Sequence, residues 1–279
     1  MTFVVTGATG NVGRSVARTL AASDSAVRAI SRQEVADLPA GVTHHRADLA
    51  DPESLRDVVS GASAFFLMVA GAGAHLDGPA IVDAIKAGGV RRIVLLSSQA
   101  AGTRPDSVSH SPLRALEDTV RESGLEWVVL RPGGFASNAL AWAEQVRTRR
   151  AVAAPFGDVG LPVVDPADIG EVAAAAMISP RHAGRTFELT GPLLSTPRQR
   201  VKEISAAVGA AVTFVPQPVD EARALMLTFM PPPVADGTLD ILGRPTPREL
   251  EISPHVEEVL GRPPRTFADW LARHADTFR

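Results

Sequence analysis

The chain has 279 residues, enough for one large domain or for a domain with a smaller second lobe, and its 45% hydrophobic and 21% charged residues are typical of a globular protein. A net charge of -3 gives no electrostatic reason to expect binding to nucleic acid or to an anionic membrane. The absence of cysteine excludes disulfides, thiolate metal sites and a cysteine nucleophile.

Apolar runs and helical stripes alternate along the first half of the chain, beginning with a strand at Thr2. The spacing of strands and helices predicts right-handed β-α-β units, hence an α/β fold with a doubly wound parallel sheet of the Rossmann type. The predicted strands are Phe3–Val5, Ala26–Ile30, Val42–His45, Ala64–Val69, Arg92–Leu96 and Glu126–Leu130. The predicted helices follow Gly10 (stripe Val12, Val16, Leu20), begin at Pro52, and cover about 78–87 and 112–122.

The alternation loosens after residue 131, where prolines divide the chain into short elements. We predict a dinucleotide-binding lobe over residues 1–150 and a smaller, entwined C-terminal substrate lobe over 151–279. The proline-rich segment Pro231–Pro247 is interpreted as a surface connection or a mobile flap. Asp168 is expected to cap a helix over 169–178.

The last predicted helix is amphipathic, with one face that packs on its own lobe or forms a contact in a homodimer. That face consists of Phe267, Trp270, Leu271 and His274. No apolar run reaches the roughly 18 residues of a membrane span, and the strand at Thr2 leaves no room for a signal peptide, so we expect a cytoplasmic protein without membrane contact.

The glycine-rich turn VTGATGNVG lies between the first strand and the first helix. Backbone N–H groups at a helix N-terminus are unpaired and the helix dipole is positive there, so a pyrophosphate fits. In this arrangement one glycine forms the tight turn, a second lets phosphate approach the backbone, and a third lets the helix pack on the strand. We therefore expect this turn to bind a dinucleotide through Gly7, Thr9, Gly10, Asn11, Val12 and Gly13.

The end of the second strand indicates which dinucleotide binds. An NAD site places an acid there for the ribose 2′-hydroxyl. Here Ser31 and Arg32 occupy that place, and a hydroxyl and a guanidinium favour a 2′-phosphate. The sequence therefore favours NADP(H) over NAD(H). The alternative interpretation is that Arg32 is a solvated loop residue with no role in cofactor binding.

Four motifs together resemble the NmrA-like branch of the atypical short-chain dehydrogenase/reductases. They are TGATGxxG at the N-terminus, ADLxDxxSL at 47–55, SGLEWVVLRPGGF at 123–135 and GRPPRTF at 261–267. Members of that group include NADPH-sensing regulators and NAD(P)H:quinone reductases.

The resemblance implies roles for further residues at the carboxyl ends of strands, with an ordinary strand-end loop as the alternative for each. It places Asp48 and Leu49 along the adenine, with Asp48 near the exocyclic amine. It also implies a passage for the adenosine ribose along Val69, Ala70 and Gly71, contact of Ser97 and Ser98 with the nicotinamide ribose, and a nicotinamide lining by Pro132, Gly133, Gly134 and Phe135.

No tyrosine–lysine catalytic pair is available, because the chain contains no tyrosine. Typical short-chain dehydrogenases use a tyrosine and a lysine four residues later to move the proton. When Glu117 and Leu130-Arg131-Pro132 are set against the family's pattern, the positions of this pair fall at Ser109 and Leu113, or one residue later at His110 and Arg114. Hydride transfer to a quinone needs no resident acid, because positioning suffices and the proton can come from water or from the ribose. His110 is the one candidate proton donor, against the simpler interpretation of a surface histidine at a helix start.

A substrate pocket is predicted after Pro132, where Phe135, Asn138 and Trp142 share one helix face and Phe156 faces the same space. The alternative is that Phe135 and Trp142 are ordinary core. His44 and His45 have no third ligand at metal spacing, so we expect no metal site.

Three functions fit the sequence. The first is an NADP(H)-dependent reductase that passes hydride to a quinone-like or other activated small molecule. The second is a non-catalytic sensor of NADPH and NADP⁺ that signals to a partner. The third is a metabolite-tailoring enzyme of the same fold. The aromatic face after Pro132 favours the reductase.

Overall fold

A parallel sheet of seven strands forms the centre of the molecule. The structure, a computed structural model, describes residues 1–33, 38–69, 71 and 73–279. The strands of this sheet are β1 Thr2–Thr6, β2 Ala26–Ser31, β3 Val42–Arg46, β4 Ala64–Met68, β5 Arg92–Leu96, β6 Glu126–Pro132 and β8 Arg185–Leu189. Their order in the sheet is β3-β2-β1-β4-β5-β6-β8, and every pairing is parallel. The predicted fold class is confirmed.

A second, two-stranded sheet pairs β7 Ala151–Ala154 with β9 Thr213–Pro216. The helices surround both sheets. They are α1 Asn11–Ala21, α2 Arg56–Val59, α3 Gly78–Ala87, α4 Gln99–Thr103, α5 Ser111–Glu122, α6 Ala143–Arg149, α7 Pro166–Ile178, α8 Pro197–Val208, α9 Val219–Met226, α10 Pro232–Gly243, α11 His255–Leu260 and α12 Phe267–Ala272.

Helices cover both faces of the main sheet, as its continuous apolar strands require. One face packs on α1, α7 and α11 through buried residues such as Val16 and Val172. The other face packs on α2, α3 and α5 through residues such as Ile85 and Val120. A third core joins α6, α8 and α12, and it contains Phe267, Trp270 and Leu271, so the C-terminal helix packs against α6 and α8 of the same chain.

The C-terminal half contributes directly to the main sheet. Strand β8 is its last strand, and α7 packs beside α1. Both elements lie beyond residue 150, so the carboxyl edge of the sheet is assembled from both halves of the chain. The division at residue 150 stays a prediction.

The interpretation of Pro231–Pro247 as a connection or flap is wrong, because residues 232–243 form helix α10. Its prolines occupy the first turn, where the missing N–H would have no partner inside the helix in any case.

The N-cap assignment of Asp168 is also wrong. Pro166 fixes the start of α7, so Asp165 is the cap and accepts a hydrogen bond from the Ala167 N–H at 2.9 Å. The Asp168 carboxylate is fully buried and accepts hydrogen bonds from Arg262 Nη2 and from the Arg265 backbone N–H, both at 2.7 Å.

Candidate functional site

The glycine turn after β1 has the shape that its spacing predicts. Gly7 has a φ of +64°, and a Cβ there would overlap the Met68 side chain. A Cβ on Gly13 would overlap the carbonyl oxygen of Gly7, so helix α1 approaches the turn as closely as glycine allows. Two of the three glycines are therefore required by the backbone itself.

The third glycine leaves the N-terminus of α1 open. Gly10 is the N-cap residue, so no side chain satisfies the first N–H groups of the helix, and the first turn contains no acid. A Cβ on Gly10 would approach the Gly7 oxygen no closer than 3.4 Å, so packing does not require glycine at this position. The side chain of Thr9 is exposed, whereas that of Val12 lies in the core and leaves only its backbone N–H for an anion.

The Asn11 side chain connects this turn to the segment after β6, because its Nδ2 donates to Ser137 Oγ at 3.1 Å. Ser137 lies in the 3₁₀ helix Ala136–Trp142 that follows β6. The glycine turn and the segment beyond β6 are therefore joined directly.

Ser31 and Arg32 lie at the end of β2, as predicted. The Ser31 hydroxyl donates to the Gln33 carbonyl oxygen at 2.5 Å and lies 2.9 Å from His44 Nε2. Arg32 is exposed, and among the described residues its guanidinium has no carboxylate within ion-pair distance. Arg32 is thus the residue here that can reach a ligand with its full charge.

The residues that the resemblance assigned to the adenosine lie at the neighbouring strand ends. Asp48 is half-buried and its Oδ1 accepts from the Ala50 N–H at 3.0 Å, while Leu49 packs against the core. Val69 and Gly71 line a cleft at the carboxyl edge of the sheet. Ala70 lies outside the described residues.

This cleft, of about 360 Å³, brings together the residues predicted to contact the nicotinamide and its ribose. Helix α10 covers it with residues that the sequence did not assign to a site. The lining includes Ser97, Ser98, Ser109, His110, Leu113, Pro132, Gly133 and Phe135 from the sheet side, and Val234, Thr238 and Ile241 from α10.

The structure distinguishes the two alternative alignments of the missing tyrosine–lysine pair. Ser109 and Leu113 both line the cleft, whereas Arg114 donates to the backbone oxygens of Arg104 and Ser107. The first register is therefore the one that faces the site.

His110 also lines the cleft and is half-buried, so its interpretation as a surface histidine is wrong. Its Nδ1 lies 2.9 Å from Ser109 Oγ, which in turn lies 2.9 Å from Ser107 Oγ. Burial lowers the pKa of His110, and the charges of Arg114 and Arg104 lower this pKa further. The imidazole is therefore neutral near pH 7 and suited to hold the Ser109 hydroxyl, not to act as a cationic acid.

A buried carboxylate fixes the ends of the strands beside this cleft. Glu117 accepts from Ser97 Oγ at 2.5 Å, from Arg131 Nε and Nη2 at 2.9 and 2.6 Å, and from Arg121 Nη2 at 2.8 Å. Burial alone would raise the pKa of Glu117, but the hydrogen bonds from Arg131 and Ser97 and the two arginine charges outweigh it and lower this pKa. The sequence alone gives Glu117 no role beyond its match to the family's pattern, because its partners Ser97 and Arg131 lie outside α5.

A second cavity, of about 460 Å³, adjoins the cleft and shares Phe135 and Thr238 with it. All four residues predicted to line a substrate pocket lie on its wall: Phe135, Asn138, Trp142 and Phe156. The segment that carries the first three is a 3₁₀ helix and not the α-helix that the spacing suggested.

Several residues of this second cavity were not predicted, among them Arg200 and the apolar residues of α9, α10 and the loop between them. The apolar ones are Met226, Phe229, Met230 and Leu242. A signal for Arg200 was present, because the buried positions of α8 are Pro197, Arg200, Val201 and Ile204. This spacing places an arginine inside an apolar helical stripe.

No three histidine, aspartate or glutamate side chains in the described part of the chain are grouped so that they would hold a metal ion. None of its helices is both long and apolar enough to span a membrane.

A doubly wound sheet with an open glycine turn at a helix N-terminus, and a cleft along the carboxyl ends of its strands, defines an α/β protein of the dinucleotide-binding class. Within this class the chain belongs to the NmrA-like family, which residues 1–237 match. The family expected from the four sequence motifs is confirmed.

Characterised relatives align over almost the whole chain. A (4-alkanoyl-5-oxo-2,5-dihydrofuran-3-yl)methyl phosphate reductase from Streptomyces griseus is 36% identical, with 99% of both chains covered. An NAD(P)H azoreductase from Xenophilus azovorans is 29% identical over 99% of both chains. The crystal structure of an NADPH-dependent quinone oxidoreductase from Escherichia coli in complex with NADPH is 25% identical, has a TM-score of 0.80 and aligns over 98% of this chain and 99% of that one.

Proposed function

We propose that this protein is an NADP(H)-dependent reductase that transfers hydride to an electron-poor, conjugated small molecule. The observation that carries the proposal is the apolar second cavity, which meets the cleft at Phe135 and Thr238. A substrate in this cavity would present its acceptor atom at the place predicted for the nicotinamide. The relatives named for reducing a dihydrofuranone, azo compounds and quinones support this class of acceptor.

The described residues fit a dinucleotide. The open N-terminus of α1 would hold the pyrophosphate, Arg32 the 2′-phosphate, and Ser97 and Ser98 the ribose next to the nicotinamide. When bound, the reduced cofactor supplies the hydride. The Escherichia coli quinone oxidoreductase, whose structure contains NADPH, supports this assignment.

The proton donors available in the cleft restrict which class of molecule can accept the hydride. The chain contains no tyrosine, and the lowered pKa of His110 leaves a neutral imidazole beside Ser109. Reduction of an isolated ketone needs an acid to protonate the developing alkoxide. A quinone, an azo group or a conjugated double bond spreads the developing charge, so that correct positioning and a proton from water suffice. We therefore expect conjugated acceptors to react and simple ketones to fail.

The test is to mix the protein with NADPH and a panel of acceptors and to follow the loss of reduced-nicotinamide absorbance. We expect turnover with 2-methyl-1,4-naphthoquinone, with an azo dye or with an alkanoyl butenolide, and none with cyclohexanone. Tight NADPH binding without oxidation by any acceptor would favour the sensor instead.

Gly10→Asp tests the predicted placement of the cofactor. The backbone of Gly10 has a φ of -86°, which any residue adopts, and aspartate is a favoured N-cap. The variant should therefore fold, while its carboxylate repels the pyrophosphate. An increase of at least about 10-fold in the KM for NADPH is expected from the loss of an anion site of this kind; an unchanged KM would contradict the placement of the cofactor.

A further inference from the structure

The second cavity contains a buried cation for which the described part of the chain provides no ionic partner. Arg200 on α8 is 7% exposed, its Nε has no hydrogen-bond partner, and the described residues offer no carboxylate within 4 Å of its guanidinium. The guanidinium lies over the Trp142 ring at 5.2 Å, and both side chains line the cavity. Burial lowers the pKa of Arg200 to about 10, so the side chain is charged at neutral pH.

Neighbouring charges on α8 do not neutralise Arg200. Glu203 attracts it, but no ion pair forms between them, and burial raises the pKa of the Glu203 carboxyl. Arg198, on the same helix, is half-exposed and pairs with Asp158 at 2.8 Å, outside the cavity. The two arginines therefore have different environments, one paired at the surface and one buried against a ligand-sized space.

Burying a charge without a partner is costly, and a fold retains such a group where a ligand compensates it. We propose that Arg200 binds an oxyanion of the substrate, a carboxylate or a phosphate ester, while the acceptor atom lies at Phe135 and Thr238. This inference rests on the proposed reductase function, since it names the substrate class of the same cavity.

The remaining wall of the cavity defines the rest of that substrate. It is apolar and aromatic, and it includes Phe156, Val159, Met226, Phe229 and Met230. The side chain of Asn138 adds a neutral polar group. The cavity therefore fits an amphipathic molecule: an anionic group at Arg200, a flat conjugated centre toward the cleft, and an alkyl or aryl portion against the methionines.

A direct binding experiment tests the role of Arg200 without turnover. Isothermal titration calorimetry, with the protein saturated with NADP⁺, would compare the affinities for 1-naphthyl phosphate, 1-naphthoate and neutral 1-naphthol. We expect Arg200→Met to lose about 10- to 100-fold in affinity for the anion that the site prefers and to bind 1-naphthol nearly unchanged, because one charge-assisted interaction is removed. Arg200→Lys should retain part of the preference.

The exposed arginine on the same helix gives the control. Arg198→Met should bind all three ligands like the unmodified protein. If Arg200→Met loses affinity for 1-naphthol as much as for the anions, or loses affinity for neither, the proposal is wrong. The two anions show whether phosphate or carboxylate is preferred, and either preference supports it.

Stability provides a second readout. Removal of an uncompensated buried charge should leave the urea midpoint of Arg200→Met unchanged or raised, whereas a structural arginine would lower it. A clearly lowered midpoint contradicts the proposal.

A turnover experiment separates this inference from the reductase proposal. The ratio of kcat/KM for 1,2-naphthoquinone-4-sulfonate to that for 1,2-naphthoquinone should fall about 10-fold or more in Arg200→Met. If both quinones react and the ratio does not change, the reductase stands and the anion site fails. If neither reacts but binding of 1-naphthyl phosphate depends on Arg200, the anion site stands and the reductase fails.

Discussion

The expected preference for NADP(H) depends on Arg32, the first residue after β2. Its guanidinium is exposed and, within the described residues, has no ion-pair partner, whereas the neighbouring Ser31 hydroxyl is engaged by Gln33 and His44. A cation in this place recognises a 2′-phosphate and gains nothing from a 2′-hydroxyl.

Arg32→Glu should therefore weaken the binding of NADPH by about 10- to 100-fold, which is the contribution of one charge-assisted interaction. The dissociation constant for NADH should change by no more than about 3-fold. Dissociation constants for the two cofactors, measured by fluorescence of the reduced nicotinamide, check this. Arg149→Glu makes the same charge change at an exposed position on α6 and should leave both values unchanged. Equal losses of NADPH and NADH in Arg32→Glu would show that Arg32 does not contact the 2′-phosphate.

The sequence predicts the role of a single residue where that role depends on the local backbone alone. Gly7 and Gly13 were assigned from their spacing, and the positive φ of Gly7 and the close contact of Gly13 with the Gly7 carbonyl are local consequences of one turn. Arg200 was not assigned, because its setting depends on Trp142 and on α9 and α10, which are distant in the chain. The helical stripe indicated that Arg200 is buried, but not what it faces.

Elements of the first half were predictable because buried parallel strands are continuous apolar runs, and β1 to β6 were located to within two residues. Helix α10 was missed because its prolines were interpreted as breakers, although they lie in its first turn. That error concealed the wall that α10 contributes to both the cleft and the second cavity.

Glu117 joins three elements, since it lies on α5 and binds Ser97 after β5 and Arg131 on β6. Glu117→Gln should lower the free energy of unfolding by about 3–5 kcal/mol, because Arg131 and Arg121 lose a buried counter-charge. It should also raise the KM for NADPH, because the single amide oxygen of glutamine cannot accept from both arginines and from Ser97, so Ser97 is held less firmly. Urea unfolding and initial rates measure the two effects.

The adjacent acid supplies the control for this change. Asp118 is exposed and pairs with the same Arg121 at 3.1 Å. Asp118→Asn should change stability by no more than about 0.5 kcal/mol, as is usual for a surface pair, and should leave the KM unchanged. A loss in Asp118→Asn as large as that in Glu117→Gln would mean that Glu117 has no special part in holding the strand ends.

Ion pairs with a buried carboxylate connect the C-terminal segment to helices α4 and α7. Glu249 accepts from Arg104 Nε and Nη2, each at 2.8 Å, and from Thr103 Oγ1 at 2.8 Å, which joins the chain after α10 to α4. Asp168 joins α7 to Arg262 and Arg265 in the same way. The GRPPRTF motif thus carries a structural role that its sequence alone did not reveal, because the partner lies more than 90 residues away.

These links predict how stability depends on pH. Burial alone would raise the pKa of Glu249, but hydrogen bonds from Arg104, Thr246 and Thr103 outweigh it and lower this pKa below its ordinary value of 4.5. The unfolded chain therefore binds the proton more readily than the folded one. The stabilisation is complete above about pH 5 and is lost as the pH falls below 4.5 through the folded value.

Glu249→Gln should lower the free energy of unfolding by about 3 kcal/mol at neutral pH, toward the lower end for a broken buried pair because Arg104 is partly exposed. The difference from the unmodified protein should shrink as the pH falls below 4.5 toward the lowered pKa of the folded carboxylate, because the unmodified protein then loses the same charge. Urea unfolding at about pH 7 and at a series of pH values below 4.5 measures this. Glu53→Gln, which breaks an exposed pair with Arg56, should cost no more than about 0.5 kcal/mol. If the difference in the free energy of unfolding between Glu249→Gln and the unmodified protein stays constant on acidification, packing and not the charge holds the C-terminal segment to α4.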